Sequence, residues 1–275
     1  QNIIAQLPAV FMDAGAQGEK PMDLFIVTGA SKGLGEAFVR RLSQPGRRIV
    51  AIARTQNDRL IREAKERGAA IDWICYDLAQ TDGLDALMAG VLKNAPVQSE
   101  REPTLCLINN AAVLEPMAPA ERCEHDDVVR HFHVNLLAPV LLTASFIRHT
   151  AGLPANKYVL NVSSGAGKKP YHGWSSYCAA KAGLDMFTRC VGFEQGEAEG
   201  GVRVVSVAPG VVDTDMQAAI RGTSEDRFRQ KARFVELKRS GALLSPDAAA
   251  ERVLRLLFDR RFANGSVLDI RDFAE

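Results

Sequence analysis

Short apolar runs alternate with amphipathic stretches along most of the chain. Leu24–Thr28, Arg48–Ala53, Ile71–Tyr76, Thr104–Ile108, Lys157–Val162 and Val202–Val207 are short, apolar and rich in β-branched residues. That is the pattern of strands buried on both faces. Helical patterns separate them: from a glycine turn to about Leu42, then Arg59–Arg67, Gly83–Leu92, Asp126–Ile147 and Ser175–Phe193. The stretch Asp213–Ser245 breaks the rhythm, being polar, charged and helical only in pieces. A helix over Pro246–Phe258 and a short strand at Val267–Ile270 close the pattern. Strands alternating with helices predict an α/β fold, a doubly wound parallel sheet of about seven strands with helices on both faces and right-handed crossovers. No linker or repeat divides residues 22–275, which read as a single domain. Residues 1–21 differ: Ala14-Gly15-Ala16-Gln17-Gly18 reads as loose linker, and the basic start and long apolar stretch of a signal peptide are missing. They are expected to be an N-terminal leader, flexible or foreign to the native domain.

Composition mainly excludes. The 275 residues carry 34 Lys+Arg against 33 Asp+Glu, a balance that argues against a nucleic-acid binder with its basic stripe. No apolar run approaches the roughly 18–20 residues of a membrane-spanning helix. The five cysteines, Cys75, Cys106, Cys123, Cys178 and Cys190, are odd in number and form no CxxC pair. A disulfide framework or zinc site is therefore not expected, and a reducing, cytoplasmic compartment fits. The five histidines show no metal-ligand spacing either.

Candidate chemistry begins where the first strand ends, in Thr28-Gly29-Ala30-Ser31-Lys32-Gly33-Leu34-Gly35. A GxxxGxG turn between strand and helix lets the backbone approach a pyrophosphate and start a helix whose free N–H groups face it. The second strand ends at Ala53-Arg54-Thr55, with no acid before Asp58, which fits the start of the next helix. An acid at that point would bind a ribose 2′-hydroxyl, whereas an arginine accommodates a 2′-phosphate. Arg54 and Lys32 therefore point to NADP(H). Asp77, before Leu78, is a candidate for the adenine amino group, or simply caps its own turn. Asn109-Asn110-Ala111-Ala112 ends the fourth strand on the ligand-binding side, where asparagines can tie loops and alanines leave room for the cofactor.

Tyr177-Cys178-Ala179-Ala180-Lys181 sets a phenol and an ammonium on one helical face. A free phenol titrates near pH 10, and the ammonium, helped by the positive charge of an oxidised nicotinamide, is expected to lower that value. Ser164, at the end of the fifth strand, could hold a carbonyl oxygen beside Tyr177; Ser163 is its rival, and adjacent strand residues face opposite ways. Pro139 follows Asn135 by one helical turn and has no N–H for its carbonyl, so the helix should kink and leave that carbonyl for an ordered water.

Together TGASKGLG, NNAA, the Ser–Tyr–Lys set and Pro209-Gly210 resemble the short-chain dehydrogenase/reductase family, from Leu24 onward. Ala112 departs from that family's usual glycine. The resemblance implies a Rossmann-type fold and NADPH-dependent reduction of a small-molecule carbonyl substrate. In it Tyr177 is the acid and Ser164 orients the oxygen. Lys181 assists Tyr177 and binds ribose, and Asn135 completes a proton relay. It also places Val212 and Thr214 at the nicotinamide carboxamide and implies a homodimer packed through the Tyr177 and Asn135 helices. Thr214 could instead cap the next helix. Gly173–Cys178, Asp213–Gln217 and Val267–Asp269 resemble more narrowly the sepiapterin reductase branch and its dicarbonyl-reducing relatives. That likeness implies a C-terminal carboxylate anchoring a pterin, matched by Asp269 with Asp272 as rival; a carboxylate suits a guanidine-like edge. Trp174 is expected to wall the pocket, near Tyr171, and the segment 216–245 to cover it. Lys168 and Lys169 are expected to be solvated. The alternative is a catalytically silent NADP(H)-binding sensor, which would not need Ser164, Tyr177, Lys181 and Asn135 together.

Overall fold

The computed structural model describes residues 23–96, 101–196 and 200–273; the leader expected at 1–21 lies outside them. Seven parallel strands form one sheet: β1 (Asp23–Thr28), β2 (Arg47–Ala53), β3 (Ala70–Cys75), β4 (Thr104–Asn109), β5 (Asn156–Val162), β6 (Val202–Ala208) and β7 (Val267–Asp269). Their spatial order is β3-β2-β1-β4-β5-β6-β7. Nine helices accompany them among the described residues: α1 (Gly33–Leu42), α2 (Asp58–Glu66), α3 (Leu84–Leu92), α4 (His125–Phe132), α5 (Ala138–Thr150), α6 (Ser175–Gln195), α7 (Asp215–Gly222), α8 (Lys231–Arg239) and α9 (Pro246–Phe258).

The period-two geometry of a strand sends successive side chains to opposite faces. Phe25 and Val27 pack with Phe38 of α1, Leu60 of α2 and Val253 of α9. Leu24 and Ile26 pack with Leu87 of α3, Phe146 of α5 and Val191 of α6. Each face thus has its own apolar layer, which is why the strands read as unbroken apolar runs. A third cluster, built on Trp174, Tyr177, Phe228 and Phe234, lies apart from both. Among the described residues no helix is long and apolar enough to cross a membrane.

The long helix expected over Asp126–Ile147 is interrupted. Between α4 and α5 the chain makes a π-helical turn, His133–Leu137, in which the Ala138 N–H donates to the His133 carbonyl five residues back. Pro139 sits in the first turn of α5, and its missing N–H breaks the regular ladder there. The irregular segment 213–245 resolves into α7 and α8. Val212 bridges Leu244 in parallel, which ties both ends of that excursion together.

Candidate active site

Strand order reverses between β1 and β4, and the loops leaving these two strands diverge to opposite faces. Open α/β sheets bind ligands at such a switch point. Here a cleft of about 720 Å³ lies there, lined by segments that leave the carboxyl ends of all seven strands.

The glycine turn forms one wall. Gly29 and Gly33 have φ of +66° and +58°, a region that favours glycine. A Cβ on Gly35 would overlap the Gly29 carbonyl, so this glycine is required by the turn's own packing as well as by any ligand. Thr28 and Asn110 hold the turn: Asn110 Nδ2 donates to the Thr28 carbonyl at 2.9 Å and to that of Gly29 at 3.3 Å. Thr28 Oγ1 accepts from the N–H groups of Asn110 and Ala111. Ser31, Leu34, Ala111 and Ala112 line the same wall.

Lys32 and Arg54 both reach the rim. Lys32 is already paired with Asp215, at 2.9 Å, across an exposed gap, an acid that the sequence pattern did not connect to it. Asp77 accepts from the Ala79 N–H at 3.1 Å, capping its turn, and pairs with Arg130 at 3.0 Å. Burial acts to raise its carboxyl, but these bonds hold it below the ordinary range. Leu78, beside it, is buried in the cleft wall.

Helix α6 forms the opposite wall. Tyr177 and Lys181 are both buried, and the ammonium lies 5.8 Å from the phenol ring centre. Lys181 Nζ donates to the Val162 carbonyl at 2.8 Å. Burial pushes the Tyr177 phenol up to about 12, with a Ser164 hydrogen bond pulling it partly back. Burial also brings Lys181 down to about 8, opposed by the Asp185 charge one turn along α6. In both groups desolvation is the largest effect, because burial disfavours the charged form of each. Ser164 is half-buried and also accepts from the Ala166 N–H. The rival Ser163 lines the cleft with its hydroxyl buried and unpartnered.

Behind this wall runs a polar ladder. Asn109 Nδ2 donates to Asn161 Oδ1 and Thr143 Oγ1, and Asn161 Nδ2 donates to Thr188 of α6 at 2.9 Å. Asp185 accepts from Ser206 of β6 at 2.6 Å. These bonds fix α6 against the sheet; of their members only Asn109 is singled out by the sequence, as a side chain able to tie neighbouring loops.

Asn135 lies in the π turn. Its Oδ1 accepts from the Val113 N–H at 2.9 Å, and its Nδ2 donates to the Val113 carbonyl and to His131 Nε2. His131, also missed, donates from Nδ1 to the Glu115 carbonyl at 2.7 Å. Burial holds its pKa below the ordinary value. Its ring meets that of Tyr177 edge-on, with centres 6.0 Å apart. A neutral imidazole thus braces both Asn135 and the phenol.

At the substrate end Trp174 lines the cleft and is also core, stacked on Phe228 and 5.4 Å from Tyr177. Met216, Gln217 and Phe234, from the polar excursion, cover this end. Pro209, Gly210, Val212 and Thr214 line the cleft after β6, and Thr214 also caps α7 through the Gln217 N–H. Lys168 and Lys169 are exposed. Asp269, expected as a substrate anchor, is 2% exposed and bound by Arg271; Arg271, not singled out from the sequence, lines the cleft. Among the described residues no cluster of three or more His, Cys, Asp or Glu could hold a metal.

This fold, with Ser164, Tyr177 and Lys181 facing a glycine turn, defines a class, and comparison identifies it. The family model described as short chain dehydrogenase matches residues 23–225, and the chain belongs to that family. It is an oxidoreductase acting at a carbonyl or hydroxyl carbon, with a nicotinamide cofactor. Within the family it falls in the sepiapterin and benzil reductase branch. It is 41% identical to the benzil reductase ((S)-benzoin forming) of Bacillus subtilis (strain 168), over 92% of this chain and 100% of that protein. It is 33% identical to mouse sepiapterin reductase, over 90% of this chain and 96% of the relative. Among solved structures, the KRED1-Pglu enzyme matches with a TM-score of 0.75 and 29% identity, over 89% of this chain and 99% of that one.

The buried ammonium gives a pH signature. Lys181 is lowered from 10.5 to about 8, so between these values the unfolded chain binds the extra proton. Wild-type stability therefore gains from this group as pH rises through that window. Denaturant unfolding of Lys181→Met and wild type at pH 7.5 and 10 should show their difference moving toward the wild type by up to about 3 kcal/mol. A difference independent of pH would mean that Lys181 titrates as an ordinary lysine.

Proposed function

We propose that this chain is an NADPH-dependent carbonyl reductase acting on a ketone or dicarbonyl, a diketone or a sepiapterin-like compound, in the cytoplasm, where its free cysteines stay reduced. One observation carries the reading: Ser164, Tyr177 and Lys181 line one wall of the cleft whose other walls hold the glycine turn and Arg54. The positive φ of Gly29 and Gly33 gives the turn the shape a pyrophosphate needs, and Lys32 has no capping side-chain bond over the first turn of α1. Arg54 and Lys32 at the rim suit a 2′-phosphate. Asp77, Leu78 and Asn110 would border the adenosine, with Val212 and Thr214 at the carboxamide. The names of the Bacillus and mouse relatives supply the substrate classes.

Bound NADPH supplies a hydride to the carbonyl carbon. Tyr177, kept protonated by burial, donates its proton to the carbonyl oxygen as negative charge develops there. Ser164 donates a second hydrogen bond to that oxygen and fixes its position. Lys181, within reach of the phenol face, stabilises the phenolate left behind and would bind the ribose. The Asn135 side chain is committed to Val113 and His131. Its part in returning the proton therefore falls to its backbone carbonyl, to which Pro139 has no N–H to offer. Trp174 would hold the flat part of the substrate.

A homodimer is part of the proposal. Met186 and Phe193 stand one heptad apart on α6, 54% and 90% exposed, and Leu137 and Leu141 are exposed beside the start of α5. Exposed apolar side chains on two neighbouring helices suit burial against the same face of a second copy.

Tyr177→Phe should cost about 10²–10⁴-fold in turnover while NADPH still binds by fluorescence titration; near-normal turnover would refute the role of the phenol. Arg54→Asp should lower the NADPH-to-NADH ratio of kcat/KM by about tenfold or more, and an unmoved ratio would reject the 2′-phosphate assignment. Sedimentation equilibrium should report a dimer for the wild type and a shift to monomer for Phe193→Asp; a monomeric wild type would end that part of the reading.

A further inference from the structure

The carboxylate expected as the substrate anchor, Asp269, does not line the cleft. Asp269 Oδ1 accepts from the Arg271 N–H at 3.0 Å and from its Nε at 2.8 Å, and Oδ2 accepts from Nη2 at 2.5 Å. Backbone and guanidinium of one residue therefore take both oxygens. Burial acts to raise this carboxyl, and the bonds to Arg271 hold it below its ordinary value. The side chain exposed to the cleft is Arg271, about half accessible.

Its position is specific. Nη2 lies over Gly165, where an added Cβ would come within 3.3 Å of it. Gly165 follows Ser164, the residue that positions the reacting oxygen in the reading above. A guanidinium has five N–H donors, and the Asp269 fork uses two. The remaining three, on Nη1 and the outer side of Nη2, belong to the edge left free beside the reaction site. The pair is neutral overall, so it offers directed donors without a net charge. That suits a neutral acceptor oxygen and does not suit a guanidine-like edge, which would meet donor against donor. The adjoining wall of Tyr171, Trp174 and Phe234 suits a flat apolar arm.

We propose that Arg271 is a specificity-determining residue: it donates to the second carbonyl oxygen of a vicinal diketone while the neighbouring carbonyl is reduced at Ser164 and Tyr177. Asp269 is its positioning partner and does not touch the substrate. The inference rests on the carbonyl-reductase reading and deepens it.

The test separates binding from turnover. 1-Phenyl-1,2-propanedione and the monoketone 1-phenyl-1-propanone are titrated by tryptophan fluorescence against the full chain with NADP+, so that no reduction occurs. Wild type should favour the diketone. Arg271→Met should lower the diketone-to-monoketone affinity ratio by about tenfold or more, the loss of one hydrogen bond to a charged donor. Because Arg271→Met strands a buried carboxylate and can impair folding, Asp269→Asn with Arg271→Met is measured alongside, with the same fall expected. An unchanged ratio in the folded variants, or a wild type that does not favour the diketone, would overturn the inference. A wild type that binds the diketone selectively through Arg271 yet never reduces it with NADPH would overturn the reductase reading and leave only the binding role of Arg271 standing.

Discussion

The reversal of strand order between β1 and β4 is the constraint on which the rest of the molecule depends. Each parallel strand must be followed by a crossover that returns along one face. On one side of β1 the crossovers run toward β3, and on the other toward β7. Only between β1 and β4 do two adjacent strands send their loops apart. The space that results receives the glycine turn, the Asn110 tie and the end of β5 without further design. A change that closed it would have to change the topology.

The second organising fact is that α6 brings an ammonium and a phenol into a dry wall. Desolvation dominates both: it raises Tyr177 and lowers Lys181. A raised phenol keeps its proton but is a weaker acid, so in the proposed reduction the departure of that proton depends on positive charge beside it, such as the Lys181 ammonium. The helix needs more than apolar packing to hold such groups in register. The Asn109–Asn161–Thr188 ladder and the Asp185–Ser206 bond supply directional restraint, and His131 braces the ring from the other side. Buried polar networks rigidify a site when all their members are satisfied, although Asn109 Oδ1 and Ser163 Oγ remain unpartnered on this side.

At the substrate end the cleft is built from parts of different ages in the chain order. Trp174 arrives at the start of α6, Phe228 and Phe234 from the excursion after β6, and Arg271 from beyond β7. The aromatic cluster anchors the excursion, so the cover of the cleft and its apolar wall are one unit. Substrate preference in such an arrangement is set by few side chains, because the scaffold beneath them is fixed by the sheet.

The fold was written in local pattern. All seven strands lie within one residue of where the local pattern put them, and the helix Pro246–Phe258 carries its own serine cap, proline and amphipathic period. That Ser164, Tyr177 and Lys181 line one cleft also follows from local pattern, because Tyr177 and Lys181 share a helical face and Ser164 ends a strand. What the sequence alone could not decide was who pairs with whom across the chain. Lys32 meets Asp215 from 183 residues away, Arg130 meets Asp77, and the burial that raises the phenol is something no spacing displays. The neighbours Asp269 and Arg271 were both in plain view, but which of them faced the cleft depended on the turn after β7. Periodicity is a property of the chain and survives in one dimension. Desolvation and ion pairing depend on distances between remote segments, and those exist only once the sheet has assembled.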